Sequence, residues 1–244
     1  MNIAGGSYFA LRSILKVGAF AEFGAFSTGL TITSPSLHIA GKGELGLNKG
    51  YFGSDTTALA ANYQVDLSAK YKTPLSIGYG LGFKIGKGNI HASAEWFDKI
   101  DPYFVMQGED FIAQIPDNEI VKVDAVQELN SVLNWGVGFE YNFSPAFNGY
   151  ISYNTDQSGL NEEIERAGLS VLPIDIKNVN LGADFKVGPV LFTLGAGYGW
   201  GKKLDKNLTE VLKKEDEDFQ ATFVYKSFRL LFGFEIGFNK IKKD

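Results

Sequence analysis

The 244-residue chain contains no cysteine. Disulfides, thiolate metal sites and cysteine nucleophiles are therefore excluded. Histidine is almost as scarce, with only His38 and His91, and no group of His and carboxylates has metal-ligand spacing. Long hydrophobic runs are missing too. The longest uncharged stretch, Phe23 to Gly41, is broken by glycines, a proline and many Ser and Thr, so it makes no spanning helix. Basic residues are in deficit: Lys and Arg number 23 against 28 Asp and Glu, giving a net charge of −5 and a pI near 5.2. That balance argues against nucleic acid as a partner. The opening MNIAGGSYFA has no basic region followed by a long apolar one, so no signal peptide is legible.

Glycine and aromatic residues are plentiful. The chain has 29 Gly, 20 Phe and 11 Tyr, and its hydrophobic share of 45% is enough to bury a core, which excludes general disorder. Glycine and aromatics together, at a mean hydropathy of −0.05, indicate β-structure with many turns.

Period-two alternation runs through the sequence. The longest run places Tyr63, Val65, Leu67, Ala69 and Tyr71 through to Phe83 and Ile85 on one face, with Gln64, Asp66, Lys70, Gly78, Gly80, Gly82 and Lys84 on the other. The unbroken parity predicts one long strand from Tyr63 to Ile85, with Pro74 as a weak point in its ladder. Similar runs occupy Leu15–Phe23, Phe26–Ile32, Ile90–Trp96, Leu133–Phe143, Phe147–Tyr153, Val179–Phe185, Val190–Trp200 and the terminal stretch from Phe219 to Phe238. In the last of these, apolar parity changes between Tyr225 and Phe228. A turn at Lys226-Ser227 gives ten strands and a bulge gives nine; the bulge is favoured, because it ends the final strand on the short-turn side.

Connections alternate in length. Short ones lie at Gly24-Ala25, Gly86 to Asn89, Ser144 to Ala146 and Gly188-Pro189. Long loops are expected over Pro35–Asn62, Ile100–Ser131, Asp156–Asp175 and Gly201–Asp218, with a short helix at Asn161–Leu169 and a charged stretch at Glu210–Asp218. Trp96, Trp135 and Trp200 fall at strand ends beside long loops, whereas Phe23, Phe26, Phe83, Phe143, Phe147 and Phe185 fall beside short turns. Two aromatic bands, strands near the length of a membrane crossing and a glycine-rich polar face point to an all-β, antiparallel transmembrane β-barrel of the outer membrane, with the apolar face outward. A soluble β-sandwich or barrel with the apolar face inward is the alternative.

Three passages resemble the FadL/TodX-type outer-membrane transporters of long-chain fatty acids and aromatic hydrocarbons. They are Phe26-Ser27-Thr28-Gly29-Leu30-Thr31-Ile32-Thr33-Ser34-Pro35-Ser36; Thr73-Pro74-Leu75-Ser76-Ile77-Gly78-Tyr79 with Ala94-Glu95-Trp96; and Pro173-Ile174-Asp175 leading to Leu181-Gly182, with Phe238 near the end. The resemblance implies passive transport of hydrophobic small molecules, no cofactor, contact with outer-membrane lipid and insertion by the barrel-assembly machinery. That family's fourteen strands and its Asn-Pro-Ala hatch exceed what is legible here, so residues 1–244 are expected to be one barrel domain forming the C-terminal portion of a longer chain.

Chemistry is sparse. The apolar stretches Tyr103-Phe104-Val105-Met106 and Phe111-Ile112 are read as an outer-loop landing surface, with Phe104, Met106, Phe111 and Ile112 as ligand contacts; the plainer reading has them pack within the loop. On the polar face, Arg229 near Leu231 is the cation chosen for a ligand carboxylate, with Phe20 and Phe97 as further apolar lining. His91 and Ser93 share that face beside Glu95, two residues apart as in an outer-membrane lipase, but a Ser–His pair needs direct contact and an orienting partner. Polar lining is the plainer reading, and the chain is not expected to be an enzyme. A structural or adhesion barrel is the other alternative.

Overall fold

The computed structural model describes residues 2–52, 57–113, 120–161, 173–205 and 221–237. Every regular element among them is a strand, and every strand pair is antiparallel. The chain begins with β1 (Asn2–Ser13), which passes through Ile14-Leu15 into β2 (Lys16–Phe23). A turn at Gly24-Ala25 leads to β3 (Phe26–Thr33), and residues 34–36 lead on to β4 (Leu37–Phe52). β5 (Thr57–Ser68) returns beside β4, and an irregular stretch precedes β6 (Ser76–Ile85) and its partner β7 (Gly88–Phe97). Two ribbons follow: β8 (Ile100–Gln107) with β11 (Asp124–Leu129), and β9 (Phe111–Ile112) with β10 (Ile120–Val121). The meander resumes with β12 (Val132–Ser144), β13 (Phe147–Asp156), β14 (Ile176–Val187), β15 (Val190–Asp205) and β16 (Ala221–Ile236).

Nine strands form one sheet in the order β16-β15-β14-β13-β12-β7-β6-β3-β2, and β1-β4-β5 form a second. The nine correspond to the nine alternating runs of the sequence. Three of the tight turns place glycine at their first central residue with positive φ: Gly24 at 63°, Gly86 at 59° and Gly188 at 60°. A side chain is strained there, and a two-residue turn with this backbone matches the twist of the strands it joins.

The run from Tyr63 to Ile85 is not one strand. Asp66 adopts φ 58° where β4 and β5 shift register, and regular structure lapses between Ser68 and Ser76. Asp tolerates the left-handed region, and Pro74 cannot donate to a ladder. The result is a change of face. Tyr63 and Val65 stay exposed, while Ala69 is fully buried.

Two expected long loops are largely strand. Residues 35–62 supply β4 and part of β5, so His38 lies on a strand, and 100–131 supply both ribbons. Their longer, less regular alternation hides them from a period-two reading. At the C-terminal end, β16 pairs with β15 from Ala221 to Ile236 without a shift in register. Neither a turn nor a bulge occurs at Lys226-Ser227; Phe223 and Tyr225 simply share the face of Arg229 and Leu231. The expected helix at Asn161–Leu169, the charged run at Glu210–Asp218, Phe219 and Phe238 lie outside the described residues, save Asn161 itself.

The hydrophobic core sits beside the β1-β4-β5 sheet. Met106 and Val105, each 1% exposed, pack with Leu45, Ala69, Tyr103 and Ala125, flanked by Tyr8 and Leu67. A second cluster joins Leu47, Ala60, Ala113 and Val121 to Phe111 and Val123. A Cβ at Gly43 would overlap the Met106 sulfur, so glycine there lets the side chain seat. Gln64 of β5 grips the ribbon by donating to the Glu109 carbonyl at 2.8 Å and accepting the Glu109 N–H at 2.7 Å. β1 keeps its parity into β2, so Tyr8, which meets this core, is on the same side as Gly18, Phe20 and Glu22. The ribbons therefore cover the β1-β4-β5 sheet on the side that continues into the polar face of the larger sheet.

Every buried hydrophobic residue among the described residues belongs to this module, and the nine-stranded sheet contributes none. Its apolar face is uncovered: Val137 is 47% exposed, Leu194 46% and Phe232 65%.

Met106→Ala should destabilise the module by about 2–5 kcal/mol, since it empties a filled site; denaturant titration of the purified protein measures this. Burial pushes the Tyr103 phenol up to about 12. The folded module thus holds that proton more tightly than the unfolded chain, whose tyrosines titrate near about 10. The contribution of this neutral phenol to stability is whole below about pH 10 and lost above about pH 12. Across that window the unfolding midpoint of the native protein should fall toward that of Tyr103→Phe, which loses no such proton.

Candidate functional site

The pairing register aligns small and polar residues in rows across the larger sheet. One row runs Gly29, Gly80, Ser93, Gly136, Asn154, Asn178, Gly199 and Ser227, from β3 to β16. No side chain in it is larger than Asn. The next row begins at Glu22 on β2, passes His91 on β7 and Asn180 on β14, and ends at Arg229 on β16. Alternation explains the separation of faces, because each of these residues is flanked by apolar ones that point the other way.

Two grooves lie on this face. One, of about 560 Å³, is lined by Tyr150, Ser152, Asn180, Thr193, Arg229 and Leu231. The other, of about 400 Å³, has Gly29, Gly78, Gly80 and Gly136 in its floor and Glu95 and Asn134 at its side. Glu95 accepts a hydrogen bond from Ser76 Oγ at 2.7 Å.

The first groove is the more elaborate. Arg229 Nη2 donates to Asn178 Oδ1 at 2.7 Å, and Asn178 is only 7% exposed. Asn180 Nδ2 donates to Ser152 Oγ at 3.2 Å and Asn154 Oδ1 at 3.3 Å. A Cβ at Gly199 would stand 2.7 Å from Asn178 Oδ1, and one at Gly197 2.6 Å from Asn180 Oδ1, so the two glycines of β15 make room for the two amides of β14. Asp184 accepts hydrogen bonds from Thr193 Oγ1 at 2.6 Å and from the Tyr150 hydroxyl. Asp184 is thus satisfied by hydroxyls, whereas Arg229 has no carboxylate partner among the described residues. The hydroxyl of Ser227, beside Asn178 and Gly199 in their row, is buried and unpartnered. The groove therefore offers a cation without a carboxylate partner among the described residues, hydroxyl and amide groups, and an apolar wall at Leu231.

The sequence-predicted residues fall in two separate places. Arg229 and Leu231 both line the first groove. Phe104, Met106, Phe111 and Ile112 lie on the ribbons of the module. Met106 is in its core and Phe111 packs against the second cluster, while Phe104 at 49% and Ile112 at 65% present outward surface. Phe20 and Leu231, at 72% and 63% exposed, occupy the two edge strands of the sheet. His91 Nε2 stands 3.8 Å from Glu140 Oε2, and no hydrogen bond joins His91 to Ser93 among the described residues.

Sequence reasoning missed Tyr150, Asn178, Asn180, Asp184 and Thr193. A signal for them existed. About a turn centred on Gly188-Pro189, partners sit at equal distances, which pairs Asn178 with Gly199, Asn180 with Gly197 and Asp184 with Thr193.

No known protein family matches the chain, and no curated protein matches it. The likeness to FadL/TodX-type transporters thus stands on the three passages around Gly29, Pro74 and Pro173.

Proposed function

We propose that the nine-stranded sheet is part of the wall of an outer-membrane β-barrel, and that its polar face lines a passive path for hydrophobic small molecules such as long-chain fatty acids or aromatic hydrocarbons. The observation that carries this reading is the uncovered apolar face with its aromatics at two levels. At one level Trp135, Tyr153, Trp200 and Tyr198 are in ring contact, with centroids 5.4, 6.4 and 5.8 Å apart in turn. At the other, Phe143 meets Phe147 at 5.3 Å and Phe192 meets Phe185 at 5.3 Å.

Eight residues separate Trp135 from Phe143, and eight separate Phe192 from Trp200. At about 3.4 Å per residue that is about 27 Å along a strand. With a tilt of about 40° the height is about 20 Å, close to the apolar band of about 25 Å on membrane barrels. A soluble sheet has no cause to leave this surface bare or to sort its aromatics so. In lipid, by contrast, the exposed apolar side chains need no protein layer over them.

On this reading the chain carries out no covalent chemistry and uses no cofactor. Burying an alkyl chain yields about 0.8 kcal/mol per CH₂, so capture needs only apolar lining. A carboxylate drawn into the groove would meet Arg229, which has no acidic partner among the described residues, with Asn180 and Thr193 near it. Insertion would use the barrel-assembly machinery.

Leu194→Arg should block assembly in the outer membrane, because Arg at mid-membrane costs about 2–4 kcal/mol in such barrels, while Glu140→Arg on the polar face should be tolerated. Heat-modifiable gel mobility of the membrane-extracted protein separates the two, and equal tolerance would defeat the assignment of faces. Spin labels at Val137 and Leu194 should likewise be more accessible to oxygen than labels at Gly138 and Gly195.

Arg229→Ala should slow cellular uptake of a fluorescent fatty acid more than that of a neutral analogue. Equal slowing of both, or of neither, would remove the carboxylate role of Arg229 while leaving the barrel reading to the labelling experiment.

A further inference from the structure

Residues 69–75 carry the chain from β5 to β6, out of the module core and into the larger sheet. Two of them meet aromatic residues on both sides. Tyr71 stacks on Tyr8 of β1, with ring centroids 6.2 Å apart, and the Arg12 guanidinium lies over the Tyr71 ring, 4.6 Å from its centroid. The Lys72 ammonium lies over the ring of Tyr103 on β8, 4.5 Å from its centroid. The Lys72 backbone N–H donates to the Tyr103 hydroxyl at 3.0 Å, and that hydroxyl donates to Gln127 Oε1 of β11 at 2.6 Å. The segment, the ribbon and β1 are thus joined at one cluster.

Both cations keep their charge uncompensated. The ion pairs among the described residues use Lys42, Lys84, Lys99, Lys122 and His91, not Arg12 or Lys72. A ring face fixes where a cation sits but does not neutralise it. What sets Arg12 and Lys72 apart is that aromatic rings of one cluster hold both cations in place. Next to Lys72, the Thr73 hydroxyl is buried and has no hydrogen-bond partner, although the Thr73 N–H is used by Ser36 Oγ at 2.8 Å. Cationic donors suit an oxyanion, which is acceptor-only and binds most strongly through charge-assisted hydrogen bonds.

We propose that Arg12 and Lys72 form a binding site for an organic oxyanion, a carboxylate, sulfonate or phosphate monoester, at the junction of the module and the nine-stranded sheet. Tyr71 and Tyr103 hold the two cations. The site is separate from the Arg229 groove, which lies across β13 to β16 at the far side of the sheet. It does not depend on the transport reading, since binding to the protein in neutral detergent is enough to detect it.

Calorimetric titration with benzenesulfonate, and with uncharged benzenesulfonamide as control, tests this. Benzenesulfonate should bind one to one, with affinity that falls as salt is added. Arg12→Gln combined with Lys72→Gln should weaken it about tenfold or more, as expected from lost hydrogen bonds to charged groups, and leave the sulfonamide unchanged. Near-ultraviolet dichroism of the cluster of Tyr8, Tyr71 and Tyr103 reports whether the ribbons stay docked. If they do not, the charge-preserving pair Arg12→Lys with Lys72→Arg decides: retained binding supports the site, and a loss as large as in the Gln pair overturns it. No benzenesulfonate binding by the native protein, or an affinity within about twofold in a folded Gln pair, also overturns it.

Discussion

A sheet nine strands wide satisfies its backbone through its ladders, but it cannot cover either of its own faces. That constraint governs the rest of this chain. The strands alternate strictly, so one face collects Val137, Leu194 and Phe232 and the other collects Gly136, Asn178 and Ser227. A protein in water would fold a second layer over the apolar face, and the material for one exists in the β1-β4-β5 sheet and its ribbons. Yet that module builds a core of its own around Met106 and Val105, and the apolar face stays exposed. On the barrel reading proposed above, the apolar face meets lipid, and the two bands of aromatics mark a height that a bilayer matches.

The same constraint explains where polar chemistry can gather. Side chains on the polar face have no packed layer to satisfy them, so they satisfy one another across neighbouring strands. Asn178 holds Arg229, Asn180 bridges Ser152 and Asn154, and Asp184 takes two hydroxyls. Glycine on β15 is what allows this, because a Cβ at Gly197 or Gly199 would displace an amide. The glycine content that first indicated turns therefore has a second use, as space within the polar rows.

The nine-stranded sheet was legible because its signal is local. Each strand is written as alternation, and each tight turn as a glycine or proline pair, so counting outward from Gly188-Pro189 even yields the register. The module was not legible for the opposite reason. Its strands depend on contacts distant in sequence, such as Ala69 with Met106, and its parity is broken by a bulge at Asp66 that an Asp side chain does not announce. Reading the 63–85 run as one strand failed at that residue, and the loops expected at 35–62 and 100–131 hid β4, β5 and the ribbons. The candidate site shows the same division. Arg229 and Leu231 were found by alternation on one strand, whereas Asn178 and Asp184 gain meaning only from their neighbours on the next.

The edges of the sheet carry the last consequence. Eight antiparallel steps separate β2 from β16, so the two edge strands run in the same direction. Among the described residues each is paired on one side only. In lipid an unpaired row of N–H and C=O groups costs several kcal/mol per group, about as much as emptying the Met106 site in the module core. Joined to each other, β2 and β16 would form a parallel seam. A wall antiparallel throughout needs an odd number of strands between them, whatever their source. Phe20 and Leu231 stand on those two edges and face the polar side, the most exposed apolar residues there. On the barrel reading proposed above, a strand that closes the ladder at either edge would run beside Phe20 or Leu231, so backbone pairing and cover for these side chains would come from the same strands.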